Sequence, residues 1–240
     1  MDAFARALVV FAHPDDAEFT CAGTVAKWAQ AGTVVEYVCA TDGSHGWNDA
    51  GIGRDEIVRI RREELRAAAD VLGVGEVRML GFEDGSLESN LPLRQAVTAA
   101  VRRFRPDVIV TMDPSERWNG NRTYINHPDH RAVGDAVLSV VVADAPTRPQ
   151  FPELLDEGLE PHEVGDVWLA AWSSDVDTHV DISGTIDLKI KALRAHTSQI
   201  KNMGEFDVDA GLRDHAARAG RGAGLEYAEP FRTLHLKDGP

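Results

Sequence analysis

Residues 7–40 read ALVVFAHPDDAEFTCAGTVAKWAQAGTVVEYVCA, and this stretch decides the fold. Its two ends, 7–12 and 34–40, are runs of apolar and β-branched residues, interrupted in the second run by Glu36 alone, and such runs are typical of strands covered on both faces. The residues between them predict a helix over 19–31 that ends at Gly32. This strand-helix-strand order predicts two parallel strands joined by a right-handed crossover.

The same alternation continues along the chain. Further helices are predicted over 56–72, 93–104, 129–141 and 188–200, and further strands over 77–80, 108–112 and 167–172. We therefore expect an α/β, Rossmann-like fold, in which a mostly parallel sheet carries helices on both faces and residues 1–240 form a single domain. The Pro-rich residues 146–161 predict an extended crossing or small cap. Residues 203–226, rich in Gly, Ala and charge, predict a mobile surface segment or lid.

The net charge of the sequence disfavours one class of binding partner. The 240 residues include 39 Asp and Glu against 25 Lys and Arg, a formal net charge of −14, which disfavours nucleic acid as a partner. No apolar run approaches the ~20 residues of a membrane span. The first residues lack the pattern of a signal peptide, so we expect a cytoplasmic protein. The sequence leaves the oligomeric state open, a homo-oligomer included.

Three polar clusters, residues 12–18, 41–46 and 113–130, each follow a predicted strand, where ligands bind in parallel sheets. His13 and Asp16 stand three apart in a turn restricted by Pro14, and His130 can supply a third group. Two imidazoles and a carboxylate with an open position are typical of a catalytic zinc site. Fe²⁺ or another divalent transition metal can use the same ligands. The alternative is that these side chains only cap helices or lie in ordinary loops.

Several motifs together resemble one known family. AHPDDAE follows the first strand, TDG follows the second, and GF-x-D and HPDH follow later strands. In this combination they resemble the LmbE-like, or PIG-L-type, metal-dependent N-deacetylases over residues 7–142, and more weakly over 191–199. The resemblance implies hydrolysis of the N-acetyl group of a small N-acetylglucosaminyl-type conjugate.

The resemblance also implies the roles of individual residues. The implied metal ligands are His13, Asp16 and His130. Asp15 is the implied general base, taking the proton of a water activated by zinc and giving it to the leaving amine. His127 is the implied partner of the developing oxyanion. Asp129, beside it, is expected to hold that imidazole in its charged, oriented form.

Substrate contacts are predicted less directly. Four residues near the strand ends are predicted to bind substrate: Asp42, Gly43, Arg61 and Asp84. For the two aspartates and the glycine the alternative is turn formation, and for Arg61 it is pairing with Glu64 on the helix surface. Trp118 falls in a loop at the same edge, where an aromatic face can stack on a sugar ring. For His196 a structural role is favoured over substrate contact.

Three other functions remain open at this stage. The first is an amidase with the same machinery that acts on a thiol (mycothiol-type) conjugate. The second is a non-haem iron oxygenase, because His13, Asp15 and His130 also match a two-His-one-carboxylate triad. The strand-helix alternation disfavours it, since such sites are commonly built on antiparallel sheets. The third is a metal-binding module without catalysis, which would leave Asp15 and His127 without a task.

Overall fold

A computed structural model describes residues 4–47, 51–119, 121–171, 175–204 and 207–236, which form one seven-stranded sheet with flanking helices. The strands are β1 (Arg6–Phe11), β2 (Val34–Thr41), β3 (Val77–Phe82), β4 (Val108–Met112), β5 (Asp166–Ala170), β6 (Thr178–Asp181) and β7 (Ala228–His235). Their order in the sheet is β3-β2-β1-β4-β5-β7-β6. The first five strands are parallel, and β7 runs antiparallel to both of its neighbours. The predicted α/β class with a mostly parallel sheet is confirmed.

The helices follow the predicted periodicity with small breaks. They are α1 (Asp16–Thr20), α2 (Ala22–Gln30), α3 (Arg54–Leu72), α4 (Leu91–Phe104), α5 (Pro128–Ser139), α6 (Glu153–Asp156), α7 (Ile186–Ala195), α8 (Thr197–Asn202) and α9 (Val208–Arg221). Where the sequence predicts one helix over 19–31, the chain forms α1 and α2, with the break at Cys21. The helix predicted over 188–200 likewise breaks at His196 into α7 and α8. No helix in the described ranges is both long and apolar enough to cross a membrane.

The central strand shows why the sheet is covered on both faces. Ala7, Val9 and Phe11 of β1 pack into the apolar cluster on one face, which includes residues of α2, α3 and α7. Leu8 and Val10 pack into the cluster on the other face, which includes residues of α4 and α5. Burying alternate residues in opposite directions requires an apolar side chain at every position of the strand. Because these strands are parallel, their carboxyl ends all lie at the same edge of this covered sheet.

The segment 203–226, which the sequence predicts to be a mobile surface segment or lid, is largely a packed helix in the structure, with residues 205 and 206 outside the described ranges. Most of it is α9, whose Val208, Leu212 and Ala216 are buried in the main apolar cluster. Gly220 permits the close approach of the following turn, because a Cβ there would lie 2.5 Å from the carbonyl oxygen of Leu225. The buried residues Val208, Leu212, Ala216 and Gly220 recur at a spacing of four, and the Gly, Ala and charged residues around them dilute the helical pattern.

Candidate active site

Three side chains from two strand ends meet at the carboxyl edge of the sheet. His13 follows β1, Asp16 begins α1, and His130 lies in the first turn of α5. Nδ1 of His13 lies 3.2 Å from Nε2 of His130 and 3.5 Å from a carboxylate oxygen of Asp16. The same His130 nitrogen lies 3.1 Å from the other Asp16 oxygen. The predicted ligands are thus brought together.

These separations fit a metal ion. Ligand atoms placed about 2.0–2.2 Å from a tetrahedral zinc ion lie roughly 3.3–3.5 Å from one another. Burial lowers the pKa of His13, but Asp16, Asp129 and Asp84 together raise it well above its ordinary value. The pKa of Asp16 is held well below its ordinary value by the two imidazoles, although burial opposes this. The group therefore favours a positive charge at its centre, and the donor set suits a divalent transition metal.

The tautomer of His130 is set by Asn126. The amide nitrogen of Asn126 donates to the carbonyl oxygen of Glu116 at 2.8 Å, so its oxygen is the atom facing Nδ1 of His130, also at 2.8 Å. An amide oxygen only accepts, so His130 carries its proton on Nδ1. Its Nε2 then points a lone pair at His13 and Asp16, as a metal ligand requires.

The tautomer of His13 is set by two carboxylates. Its Nε2 lies 3.2 Å from Oδ2 of Asp129 and 3.2 Å from Oδ1 of Asp84. Because ionised carboxylates only accept, the proton of a neutral His13 lies on Nε2 and Nδ1 keeps its lone pair. In its neutral form, each imidazole therefore keeps a lone pair on the nitrogen that faces the other two predicted ligands, because its other nitrogen contacts a partner outside the three-residue group.

The sequence predicts that Asp129 holds His127. In the structure the carboxylate of Asp129 mainly contacts other groups. Its carboxylate is fully buried and accepts hydrogen bonds from the backbone N–H groups of Gly85 and Leu87 at 2.8 and 3.1 Å, besides its contact with His13. Nδ1 of His127 lies 3.9 Å from the carboxylate, beyond hydrogen-bonding range. Asp129 therefore joins His13, a predicted metal ligand, to the loop after β3, and it only neighbours His127.

The expected charge of His127 also changes. Its Nδ1 accepts a hydrogen bond from the backbone N–H of Asp129 at 3.2 Å. Burial lowers the pKa of His127, and the imidazoles of His13 and His130 lower it further. Although the carboxylates of Asp129 and Asp84 act to raise the pKa, the net direction is downward, which favours a neutral His127 with its proton on Nε2. It can offer one N–H group to a developing oxyanion, without the positive charge that the sequence argument expected.

Asp15 lies beside the three ligands in a strained backbone conformation, with φ at 120°. Burial raises the pKa of Asp15, Arg61 lowers it, and the neighbouring Asp16 raises it; the net direction is upward. Two groups of three potential ligands in the described residues converge within 4.8 Å, and neither contains Asp15. The geometry therefore disfavours the iron-oxygenase triad, which needs Asp15 as a ligand.

Arg61 is 2% exposed, and its guanidinium donates to the carbonyl oxygen of Pro14 and lies 3.5 Å from the Asp15 carboxylate. The alternative pairing with Glu64 is wrong, because Glu64 accepts from the backbone N–H and hydroxyl of Ser198 at 2.7 and 2.6 Å. Arg61 therefore approaches the ligand turn from the protein interior.

The remaining predicted substrate residues differ in position. Asp42 accepts a hydrogen bond from the backbone N–H of Ser44 at 3.0 Å, as an aspartate in a turn does. It also forms an ion pair with Arg54 at 2.8 Å. Gly43 has φ of +68°, and a Cβ there would lie 2.9 Å from Pro14, so glycine lets the two loops pack closely. Asp84 alone of the four directly contacts a predicted metal ligand, His13. Substrate binding by the four residues stays a prediction.

The sequence argument missed how residues 189–199 support the site. Lys189 donates to the carbonyl oxygen of Phe19 in the helix of Asp16, at 3.0 Å. Nε2 of His196 lies 3.2 Å from the carboxylate of Glu18, and both side chains are fully buried. Gln199 donates to the carbonyl oxygen of Gly46 at 3.1 Å. The preferred structural role of His196 agrees with this geometry. The only earlier signal was the weak family resemblance over 191–199.

The family model of PIG-L, described as GlcNAc-PI de-N-acetylase, matches residues 8–141. The chain belongs to the PIG-L family. The resemblance that AHPDDAE and HPDH carry is thereby confirmed, and the matched region contains all ten predicted site residues.

Relatives in the PIG-L family cover nearly the whole chain. A diacetylchitobiose deacetylase of Thermococcus kodakarensis is 31% identical over 230 residues, covering 95% of this chain and 83% of the relative. A mycothiol S-conjugate amidase of Streptomyces coelicolor is 30% identical over 254 residues, covering 81% and 82%. The solved N,N'-diacetylchitobiose deacetylase from Pyrococcus horikoshii, complexed with its inhibitor MPG, has a TM-score of 0.87 and 31% identity, covering 97% of this chain and 84% of that one. The chain is a hydrolase of this N-deacetylase type.

Proposed function

We propose that the protein removes the N-acetyl group from an N-acetylglucosaminyl-type conjugate in a reaction that depends on a divalent metal, with zinc as the expected ion. One observation carries the metal dependence. The lone pairs of His13 Nδ1 and His130 Nε2 and the Asp16 carboxylate point at one another across 3.1–3.5 Å. A bound divalent cation satisfies all three groups at once and supplies Lewis acidity for amide hydrolysis.

The proton transfers belong to Asp15. Its carboxylate is adjacent to a ligand without converging on the metal position, so it is free to accept the proton of the attacking water. The same oxygen then delivers that proton to the nitrogen of the leaving amine as the C–N bond breaks. Arg61 lies 3.5 Å from this carboxylate and, in our proposal, holds it in place as a positioning residue.

Stabilisation of the oxyanion belongs to His127. Its Nε2–H is free to donate because Nδ1 already accepts from the backbone of Asp129. A neutral donor aimed at the developing charge lowers the barrier without first needing a proton from solvent. Asp84, whose carboxylate contacts His13, is proposed to accept a hydrogen bond from a hydroxyl group of the sugar.

An amidase acting on a larger thiol conjugate is the second candidate. The similarity to the Streptomyces coelicolor amidase favours it, at 30% identity over most of both chains. The two activities share the amide-hydrolysing group and differ in what lies on either side of the amide. Substrate comparison therefore separates them, whereas variants of the metal ligands cannot.

The decisive experiment measures acetate release from a panel of N-acetylglucosaminides and amine release from a mycothiol-type S-conjugate. We expect acetate from the glucosaminides, loss of activity with a chelator, and recovery on adding Zn²⁺ or Fe²⁺. Asp16→Asn is the matched control, because it should fail to recover. Activity that persists after verified metal removal would contradict the metal dependence. Amine release from the thiol conjugate alone would favour the amidase, and a strict need for oxygen would revive the oxygenase.

A further inference from the structure

The break between α1 and α2 leaves backbone groups in need of hydrogen-bond partners. The last carbonyl groups of α1 and the first N–H groups of α2 have no partner within their own helices. Cys21 separates the two helices, and its side chain makes no capping hydrogen bond to α2. Because Cys21 and Ala22 are buried, the partners have to come from other parts of the protein.

One buried ion pair supplies partners on both sides of this break. The ammonium group of Lys189, in α7, donates to the carbonyl oxygen of Phe19 near the end of α1, at 3.0 Å. The carboxylate of Glu229, in β7, accepts from the backbone N–H groups of Gly23 and Thr24 in the first turn of α2, at 2.9 and 2.7 Å. The ammonium nitrogen and a carboxylate oxygen of the pair lie 2.5 Å apart. The pair therefore joins the end of one helix to the start of the next.

The signs of the two charges match the helix ends that they contact. A cation is favoured beside the carbonyl groups at the end of a helix, and an anion is favoured beside the N–H groups at its start. Lys189 and Glu229 satisfy both rules at once. A buried ion pair is often no more stable than two apolar side chains of the same volume, so stability alone is a weak reason for this pair. Its contacts on both sides of the break indicate that it positions the helices.

The shorter of these helices carries a predicted metal ligand. Asp16 is the first residue of α1, and a carboxylate oxygen of Asp16 accepts from the backbone N–H of His13 at 2.7 Å. Phe19 lies three residues later, at the other end of the same helical turn. A helix of five residues is not stable on its own, so its place depends on the contacts at its two ends. The 3.1 Å separation of Asp16 and His130 therefore depends on the bond from Lys189 to Phe19.

We propose that Lys189 and Glu229 are positioning residues for the metal group. Their ion pair fixes the break at Cys21, the break fixes α1, and α1 holds the Asp16 carboxylate where a metal ion can bind it. This inference rests on the metal dependence of the proposed function. It extends that function to two residues beyond position 141, where the match to the family model ends.

The test measures zinc affinity, by competition with a chromogenic chelator, in the wild type, Lys189→Met and the double variant Lys189→Met/Glu229→Gln. Lys189→Met removes the bond to Phe19, and we expect about a tenfold loss of zinc affinity, the lower end of the effect of partners outside the ligand set. Lys189→Met also leaves a buried carboxylate unpaired, so it should unfold at a lower urea concentration. The double variant removes both charges at nearly constant volume. It should regain stability to urea but keep the weaker zinc affinity, because Phe19 still lacks its donor.

Arg102→Met is the matched control for a general loss of stability. Arg102 is likewise a buried cation, and its guanidinium donates to the carbonyl oxygens of Asp144 and Thr147 at 2.8 and 2.9 Å. The control should unfold at a lower urea concentration and keep its zinc affinity within about twofold, because sites without shared partners act independently. The visible spectrum of the Co²⁺-loaded protein, which depends on ligand geometry, should change in both Lys189 variants and stay unchanged in the control.

Three results would overturn the positioning role. The first is a folded double variant with the zinc affinity and Co²⁺ spectrum of the wild type, since the pair would then serve stability alone. The second is an equal loss of zinc affinity in Arg102→Met, which would indicate a general loosening of the fold. The third is failure of both Lys189 variants to fold, which would make the pair a requirement of the fold itself. A wild type that binds no zinc would instead reject the metal dependence of the proposed function.

Discussion

Nδ1 of His130 lies 2.8 Å from the side-chain oxygen of Asn126, and both side chains are buried. The two residues are one helical turn apart, on either side of the start of α5. Because the nitrogen of the Asn126 side chain is occupied by Glu116, the amide cannot turn to offer a donor instead. The bond therefore fixes which nitrogen of His130 is available to a metal, and Asn126 is a positioning residue for the site.

Asn126→Ala should weaken metal binding without abolishing it. Loss of an outer partner of a ligating histidine typically costs about 10–100-fold in metal affinity. Competition with a chromogenic chelator measures this directly. Asn119→Ala is the matched control, since Asn119 is half-buried and its side-chain hydrogen bonds within the described residues go to its own loop. Equal metal affinity in Asn126→Ala and wild type would show that the bond does not matter.

Asp15 and Asp16 are adjacent and chemically identical, and the structure predicts opposite effects for them. Asp16→Asn should lose metal, because an anionic ligand becomes a neutral amide. Asp15→Asn should keep a full metal equivalent and lose about 10²–10⁴-fold in kcat, the usual cost of removing a general base. Measuring the metal content by mass spectrometry together with kcat distinguishes the ligand role from the general-base role. Metal loss from Asp15→Asn with retention in Asp16→Asn would reverse the two roles.

Asp129→Asn distinguishes the two partners of Asp129. If its contact with His13 dominates, as the 3.2 Å distance indicates, the variant should bind metal more weakly and also loosen the backbone of Gly85 and Leu87. If it mainly held His127, metal affinity would be unchanged and the variant would resemble His127→Ala. Chelator competition on both variants, with hydrogen exchange at residues 85–87, compares these outcomes.

The buried pair of His196 and Glu18 predicts a pH-dependent contribution to stability. Burial lowers the pKa of His196, but the Glu18 carboxylate raises it more, so the folded value exceeds the ordinary 6.5. A raised histidine pKa stabilises the fold fully below the unfolded value and loses that contribution as the pH rises through the folded value. The difference in unfolding free energy between wild type and His196→Gln, both zinc-saturated, should therefore shrink on going from pH 6 upward to pH 9. A constant difference would mean that the pair titrates the same way in both states.

The local sequence pattern predicted strands correctly where apolar residues continue along nearly the whole strand. The run 7–12 is apolar at every position and 108–112 is apolar except for Thr111, and this pattern predicts strands buried on both faces. β7 was not predicted because its sequence, AEPFRTLH, contains a proline and mixed polarity. Its place between β5 and β6 depends on antiparallel pairing with strands far away in the chain, for which no local signal exists.

The sequence by itself determined the α/β class, the strand ends at which polar groups gather, and the three side chains, His13, Asp16 and His130, that converge there as predicted ligands, because periodicity and motif spacing are local properties. Tertiary structure alone decided which nitrogen of each imidazole faces the metal position, that Asp129 serves His13, and that Arg61 reaches Asp15 from inside the protein. Two of these contacts join residues that are 46 and 116 positions apart, whereas Asn126 and His130 are four apart. Their geometry follows from how the helices pack on the sheet, and a tautomer or a buried charge is fixed only when those partners are in place.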